Sequence, residues 1–178
     1  MNKLNILICE DTAKHLEAAR EQLAEHNVFT ASTLVEAMGF LGNKVFEDID
    51  GYRDTLERKG RTVPVYMGGI DIVLSDMYMP GGNMPIYELG DQLSPVGVMI
   101  ALRAASLGVK FVGVMTDANH HSDAMTCGID MINGAWFSTK RPLIINQSKV
   151  VFTTTKMIAC GSSYVKDWRA LLDGLLAE

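Results

Sequence analysis

Ile70-Asp71-Ile72-Val73-Leu74-Ser75-Asp76-Met77-Tyr78-Met79-Pro80-Gly81-Gly82 is the stretch whose reading decides the fold. Residues 70–74 are mostly β-branched or aliphatic and read as a strand buried on both faces. Pro80 and the two glycines after it end that strand abruptly. Asp76 is thereby placed just past the carboxyl end of a central strand, the edge at which open α/β sheets gather ligands and chemistry.

Strands and helices alternate on either side of this stretch. Residues 4–9 form a short apolar strand that runs into Glu10-Asp11. Thr12 then stands at a helix start, and Leu16, Ala19, Leu23 and Ala24 make an apolar stripe at helical spacing. Residues 28–31 read as a second strand, followed by a helix capped by Ser32 or Thr33 with Leu34, Ala37, Met38 and Leu41 on one side. After the central strand, Ser94-Pro95 opens a helix that runs to about Leu107 and is closed by Gly108. Residues 110–115 form a fourth strand with Thr116-Asp117 at its end, and a short helix fits 121–127. Residues 136–140 are expected to be the fifth strand. Residues 143–145 and 150–153, around the turn 146–148, are expected to form an added hairpin. Ser162 or Ser163 is expected to cap a last helix with Val165, Trp168, Leu171, Leu172 and Leu175 inward.

This order predicts a flavodoxin-like, doubly wound, mostly parallel five-stranded sheet with helices on both faces, plus an extra β-hairpin before the last helix. The 178 residues suit a single domain carrying insertions at about 43–69, 82–93 and 141–155. A formal charge of −5 speaks against direct nucleic-acid binding. No apolar run reaches membrane-spanning length, and three widely spaced cysteines without a C-x-x-C pair suit a cytoplasmic protein.

Right-handed crossovers place all strand ends on one edge, so Glu10-Asp11, Asp76 and Thr116 converge. Carboxylates gathered there repel one another by about 4 kcal/mol per pair at ~4 Å and an effective dielectric near 20. A hard divalent cation relieves that repulsion, and Mg²⁺ suits an all-oxygen set. A carboxylate that keeps one oxygen free can attack phosphorus. Taken alone, each residue has a plainer reading: Glu10-Asp11 as a solvated turn, Asp76 as a turn former and Thr116 as a cap. His120, His121, Asp123 and Cys127 match no standard metal spacing and read as an exposed loop.

Together, Glu10-Asp11, the Asp76-Met-x-Met-Pro-Gly run and Thr116 resemble the receiver domain of two-component response regulators. The resemblance covers roughly residues 4–128, apart from the insertions, and the final helix. It implies Asp76 as phosphoacceptor, with Glu10, Asp11, Asp76 and the Tyr78 backbone carbonyl holding Mg²⁺, or Mn²⁺ in its place. It also implies Thr116 as switch hydroxyl and Phe137 as switch aromatic. A lysine facing the phosphosite is required, and Lys140 or its rival Lys156 fills that place. The implied function is a signalling module, not a metabolic enzyme, with weak self-phosphorylation and autodephosphorylation. It would take its phosphoryl group from a sensor histidine kinase or a histidine phosphotransfer protein and pass the signal to a downstream protein target. The family's Lys-Pro is Lys140-Arg141-Pro142 here, and Asp117 adds a negative charge beside the site. Those departures leave open an alternative, a receiver-like interaction module that is never phosphorylated. A phosphohydrolase of another aspartyl-nucleophile family fits poorly, because a tyrosine, Tyr78, stands two residues after Asp76.

Overall fold

The computed structural model describes residues 3–42, 69–84, 87–88, 90–119, 122–133 and 141–177. The strands are β1 (Asn5–Cys9), β2 (Asn27–Ala31), β3 (Ile72–Asp76), the two-residue pieces β4 (Met79–Pro80), β5 (Asn83–Met84), β6 (Tyr87–Glu88) and β7 (Leu93–Ser94), then β8 (Phe111–Thr116), β9 (Leu143–Ile145), β10 (Ser148–Thr154), β11 (Met157–Cys160) and β12 (Ser163–Lys166). The helices among the described residues are α1 (Ala13–Gln22), α2 (Leu34–Phe40), α3 (Val96–Ser106), α4 (Ala124–Asn133) and α5 (Trp168–Leu176).

The main sheet has the order β2-β1-β3-β8-β10-β9. Its first five strands are mutually parallel, and β9 closes one edge antiparallel to β10. This is the doubly wound order expected from the alternation of elements. The period-2 geometry of each strand splits its side chains between two cores. Leu7, Cys9 and Val73 pack with Leu34, Ala37, Ile100, Ala101 and Ala104 of α2 and α3. Ile6, Ile8, Ile72 and Leu74 pack with Ala19, Leu23, Trp168, Leu171, Leu172 and Leu175 of α1 and α5. Gly113 in β8 lets α5 approach closely: a Cβ there would meet Leu175 Cδ1 at 2.9 Å and Leu171 Cδ1 at 3.0 Å.

Local chemistry explains the element ends. Thr33 Oγ1 accepts the Glu36 N–H at 3.2 Å, and Glu36 returns Oε2 to the Ser32 N–H at 2.7 Å, a reciprocal cap at the start of α2. Asn146 and Gln147 have φ of 48° and 68°, the left-handed pair that a two-residue hairpin turn demands. Among the described residues, no helix is long and apolar enough to cross a membrane.

Three expectations about the last third change. The fifth parallel position belongs to β10, which pairs with β8 from Lys149↔Phe111 to Thr154↔Thr116. The hairpin of β9 and β10 does form, but its second strand is central to the sheet and is not an addition to it. Segment 141–155, read as an insertion, therefore supplies the fifth strand and the edge strand. Period-2 patterning identifies such a strand but not its neighbours, which is why the two were confused. Residues 136–140, expected as the fifth strand, lie outside the described residues. The segment inserted before the last helix is a second hairpin, β11 with β12. Ser163 and Val165 belong to β12, and α5 is capped instead by Asp167, whose Oδ1 accepts the Ala170 N–H at 2.9 Å.

Candidate phosphoacceptor site

The carboxyl ends of β1, β3 and β8 meet at one edge, as the strand order requires. Glu10 follows β1 and is fully buried. Its Oε1 accepts the Thr12 N–H at 3.0 Å, and its Oε2 takes the ammonium of Lys166 at 2.5 Å. Asp76 ends β3, with Oδ1 accepting the Met77 N–H at 2.8 Å and Oδ2 lying 2.7 Å from the same ammonium. Asp11 is exposed at the mouth. Thr116 ends β8 one residue beyond Met115, the register partner of Asp76. It is buried, and its hydroxyl accepts the Ala118 N–H at 3.0 Å.

Lys166 is the site residue that sequence reasoning missed. It ends β12 and is 6% exposed, so its ammonium is almost fully withdrawn from water. Burial pulls its pKa down, but Asp76 and Glu10 outweigh burial and hold it raised and protonated. Burial lifts the pKa of both Glu10 and Asp76, with Lys166 opposing. A weaker upward push on Asp76 comes from Asp117, the exposed charge flagged in the sequence. Lys156 is not brought to Asp76: its ammonium lies 4.0 Å from Asp167 on an exposed side chain. Lys140 and Phe137 lie outside the described residues.

How Lys166 reaches the site follows from the hairpin. β11 leaves the end of β10 and β12 returns antiparallel, so Met157 registers with Lys166. A two-stranded excursion ends where it began. Lys166, the last residue of β12, is thereby returned beside Met157, close to the end of β10.

Glu10, Asp11 and Asp76 each present an oxygen within 4.8 Å of the others. Three carboxylates against one ammonium leave two negative charges, and the donors are all hard oxygens. That set fits a divalent cation such as Mg²⁺. The Tyr78 carbonyl, assigned by resemblance to the same ion, lies on the loop two residues past Asp76.

Two contacts fix that loop. The first turn of α3 sits directly on it: Gly97 N–H donates to Met77 O at 3.0 Å, and a Cβ on Gly97 would fall 2.3 Å from Asp76 O and 2.7 Å from Met77 Cα. Both obstacles are backbone and cannot yield as a side-chain tip can. Gly97→Ala is therefore expected to lower stability by about 1–3 kcal/mol, the usual range for overpacking. Urea unfolding checks this, and an unchanged midpoint would show that the helix can lift without cost.

On the far side of the loop, the Tyr78 hydroxyl donates to Asp123 Oδ1 at 2.5 Å, while Asp123 Oδ2 accepts the Thr126 N–H at 2.9 Å at the start of α4. The loop after β3 is thus tied to the helix after β8. Burial, then the Asp123 hydrogen bond, pushes the Tyr78 phenol up to about 12. A raised phenol pKa contributes stability that is whole below the ordinary value of 10.0 and lost as pH climbs through about 12. An ultraviolet titration should show a late tyrosine component that is absent in Tyr78→Phe. The same high-pH titration curve in wild type and Tyr78→Phe, apart from amplitude, would contradict the link.

Solved structures similar to this chain include the signal receiver domain of an HD domain-containing protein from Pseudomonas fluorescens Pf-5, at 10% identity and TM-score 0.45, covering 86% of this chain and 82% of that one. The BeF3-activated N-terminal receiver domain of Klebsiella pneumoniae RstA aligns at 14% identity and TM-score 0.39, covering 87% and 88%. A response regulator protein from Burkholderia multivorans aligns at 16% identity and TM-score 0.36, covering 89% and 86%. No family model and no curated relative matches the sequence.

Proposed function

We propose that the chain is a phosphoacceptor signalling module, taking a phosphoryl group onto Asp76 from a phosphohistidine donor with Mg²⁺ as cofactor. The observation that carries this reading is the Lys166 ammonium seated between Asp76 and Glu10, with Asp11 in reach of the same space. A partly buried carboxylate facing a fixed ammonium is a nucleophile whose product charge has a partner in place. In the transfer, one Asp76 oxygen forms a bond to phosphorus as the phosphorus–nitrogen bond of the donor breaks. The electron pair leaves with the imidazole nitrogen, and the new acyl phosphate keeps its negative oxygens beside Lys166. Glu10 and Asp11, with Asp76, would hold the divalent ion, which supplies charge neutralisation for the incoming phosphoryl oxygens.

Thr116, buried at the neighbouring strand end, would be the hydroxyl that answers the new group. A change in its contacts would pass to the α4 face through the loop tied by Tyr78 and Asp123. The output is a shift in protein-partner binding, and the chemistry is slow and self-limited, unlike metabolic turnover. A sensor histidine kinase or a histidine phosphotransfer protein is the proposed donor, and the cytoplasm the proposed setting.

One observation favours the second reading, a receiver-like interaction module that is never phosphorylated. Lys166 already pairs with both carboxylates, so the fold needs no cation to tolerate Glu10 and Asp76. Incubation with Mg²⁺ and acetyl phosphate or phosphoramidate separates the two. Acid-stable, base-labile phosphate that disappears with EDTA supports the first reading, and no incorporation with either donor supports the second.

A further inference from the structure

The ammonium of Lys166 is aimed by its backbone, and that backbone is held chiefly from α1. In the β11–β12 ladder the Asp167 N–H donates to Lys156 O at 2.8 Å. The neighbouring N–H of Lys166 points the other way, because successive N–H groups along a strand alternate in direction. It is taken by His15 Nδ1 at 3.2 Å. An amide can only donate, so Nδ1 of His15 carries no proton in this arrangement. His15 is buried at 8% exposure, and its own carbonyl accepts the Trp168 indole N–H at 3.0 Å.

Two turns further along α1, Gln22 completes the grip. Its Nε2 donates to Lys166 O at 2.9 Å, its Oε1 accepts the Arg169 N–H at 3.1 Å, and its carbonyl accepts Arg169 Nη2 at 2.5 Å. The segment 166–169 is therefore bound on both sides of the lysine by one helix. That same helix begins beside Glu10 and Asp11, so the acidic residues and the ammonium share a single frame.

We infer that His15 is a positioning residue: its Nδ1 fixes the Lys166 backbone so that the ammonium stays locked between Asp76 and Glu10. The hairpin makes such a clamp necessary. Eleven residues, 155–165, separate Lys166 from the sheet strand β10, and Cys160, Gly161, Ser162, Ser163 and Tyr164 at the hairpin end are exposed. Burial, then the charges of Lys166 and Lys14, lowers the His15 pKa and keeps it in the accepting form.

The test reads Lys166 directly. The full chain is treated with acetic anhydride, and acetylation of Lys166 is measured by peptide mass spectrometry against exposed Lys156 in the same molecule. Wild type should protect Lys166. His15→Leu leaves a buried N–H without an acceptor and should weaken protection roughly tenfold. His15→Asn, whose side-chain oxygen can accept in place of Nδ1, should restore it. The initial rate of phosphate uptake from phosphoramidate should follow the same order, an arm that rests on the phosphoacceptor reading. If wild type takes no phosphate, that reading fails and the acetylation arm still decides the role of His15. Folded His15→Leu with full protection, or His15→Asn as reactive as His15→Leu, overturns the inference. Should His15→Leu not fold, His15→Ala, which removes the same acceptor, is read against His15→Asn in its place with the same two outcomes.

Discussion

Asp76→Asn takes up no phosphate and remains folded; that is the largest functional effect expected of a single substitution here. The amide keeps the shape of the carboxylate, and its oxygen can still accept the Met77 N–H that Oδ1 accepts at 2.8 Å. It offers no anionic oxygen to phosphorus. The fold survives for an electrostatic reason. Burial raises the pKa of Asp76, so ionised Asp76 is more costly folded than unfolded. A raised carboxylate pKa gives stability that is whole only below the ordinary value of 3.8 and is lost as pH rises through the folded value. At pH 7 the wild type carries that cost and the amide does not, while Lys166 retains Glu10 at 2.5 Å. The urea midpoint of Asp76→Asn should equal or exceed that of wild type. Phosphate uptake by the variant at the wild-type rate would remove Asp76 from the centre of the account.

Lys166→Met is expected to have the largest effect on stability. It leaves the buried Glu10 and the largely buried Asp76 facing each other without a cation. Removing one partner of a buried ion pair costs about 3–5 kcal/mol, because the remaining charge stays desolvated. Lys156→Ala, on an exposed side chain, should change stability by less than about 0.5 kcal/mol. The pH dependence has a definite sign. In wild type the raised pKa of Lys166 keeps its contribution whole below the ordinary 10.5 and removes it only as pH rises through the folded value. In Lys166→Met the two carboxylates can lower their repulsion by taking a proton, so the deficit should shrink on acidification from pH 7. Mg²⁺ should also recover part of the loss, since binding only to the folded state stabilises it. Urea unfolding with and without Mg²⁺ measures all of this. Equal loss in both lysine variants would contradict the pairing.

The sequence was legible where local pattern and topology say the same thing. β1 and β3 are built on runs of Ile, Leu and Val and β8 on Phe111, Val112, Val114 and Met115, and their ends carry the polar residues in place. Handed crossovers then bring Glu10, Asp11, Asp76 and Thr116 to one edge without further information. Lys166 lay beyond that logic. Its place depends on a hairpin that returns the chain to its departure point, and distance along the sequence from Thr116 points elsewhere. A signal did exist: two four-residue runs, Met157–Cys160 and Ser163–Lys166, flank Gly161-Ser162, and Gly161 takes φ 56° at the turn. Reading Ser163 as a helix cap erased it. β10 was misplaced for a related reason, since a strand's pattern records its burial but not which strands lie beside it. The grip of His15 and Gln22 on the Lys166 segment joins residues more than a hundred positions apart and leaves no local trace.

Mapping the phosphoryl group tests the central claim most directly. The chain is incubated with Mg²⁺ and phosphoramidate, reduced with borohydride to convert any acyl phosphate at an aspartate into homoserine, digested, and sequenced by mass spectrometry. The account predicts homoserine at position 76, dependent on Mg²⁺ and diminished in Lys166→Met. Homoserine at another aspartate, or none at any position while the donor is consumed, would contradict it.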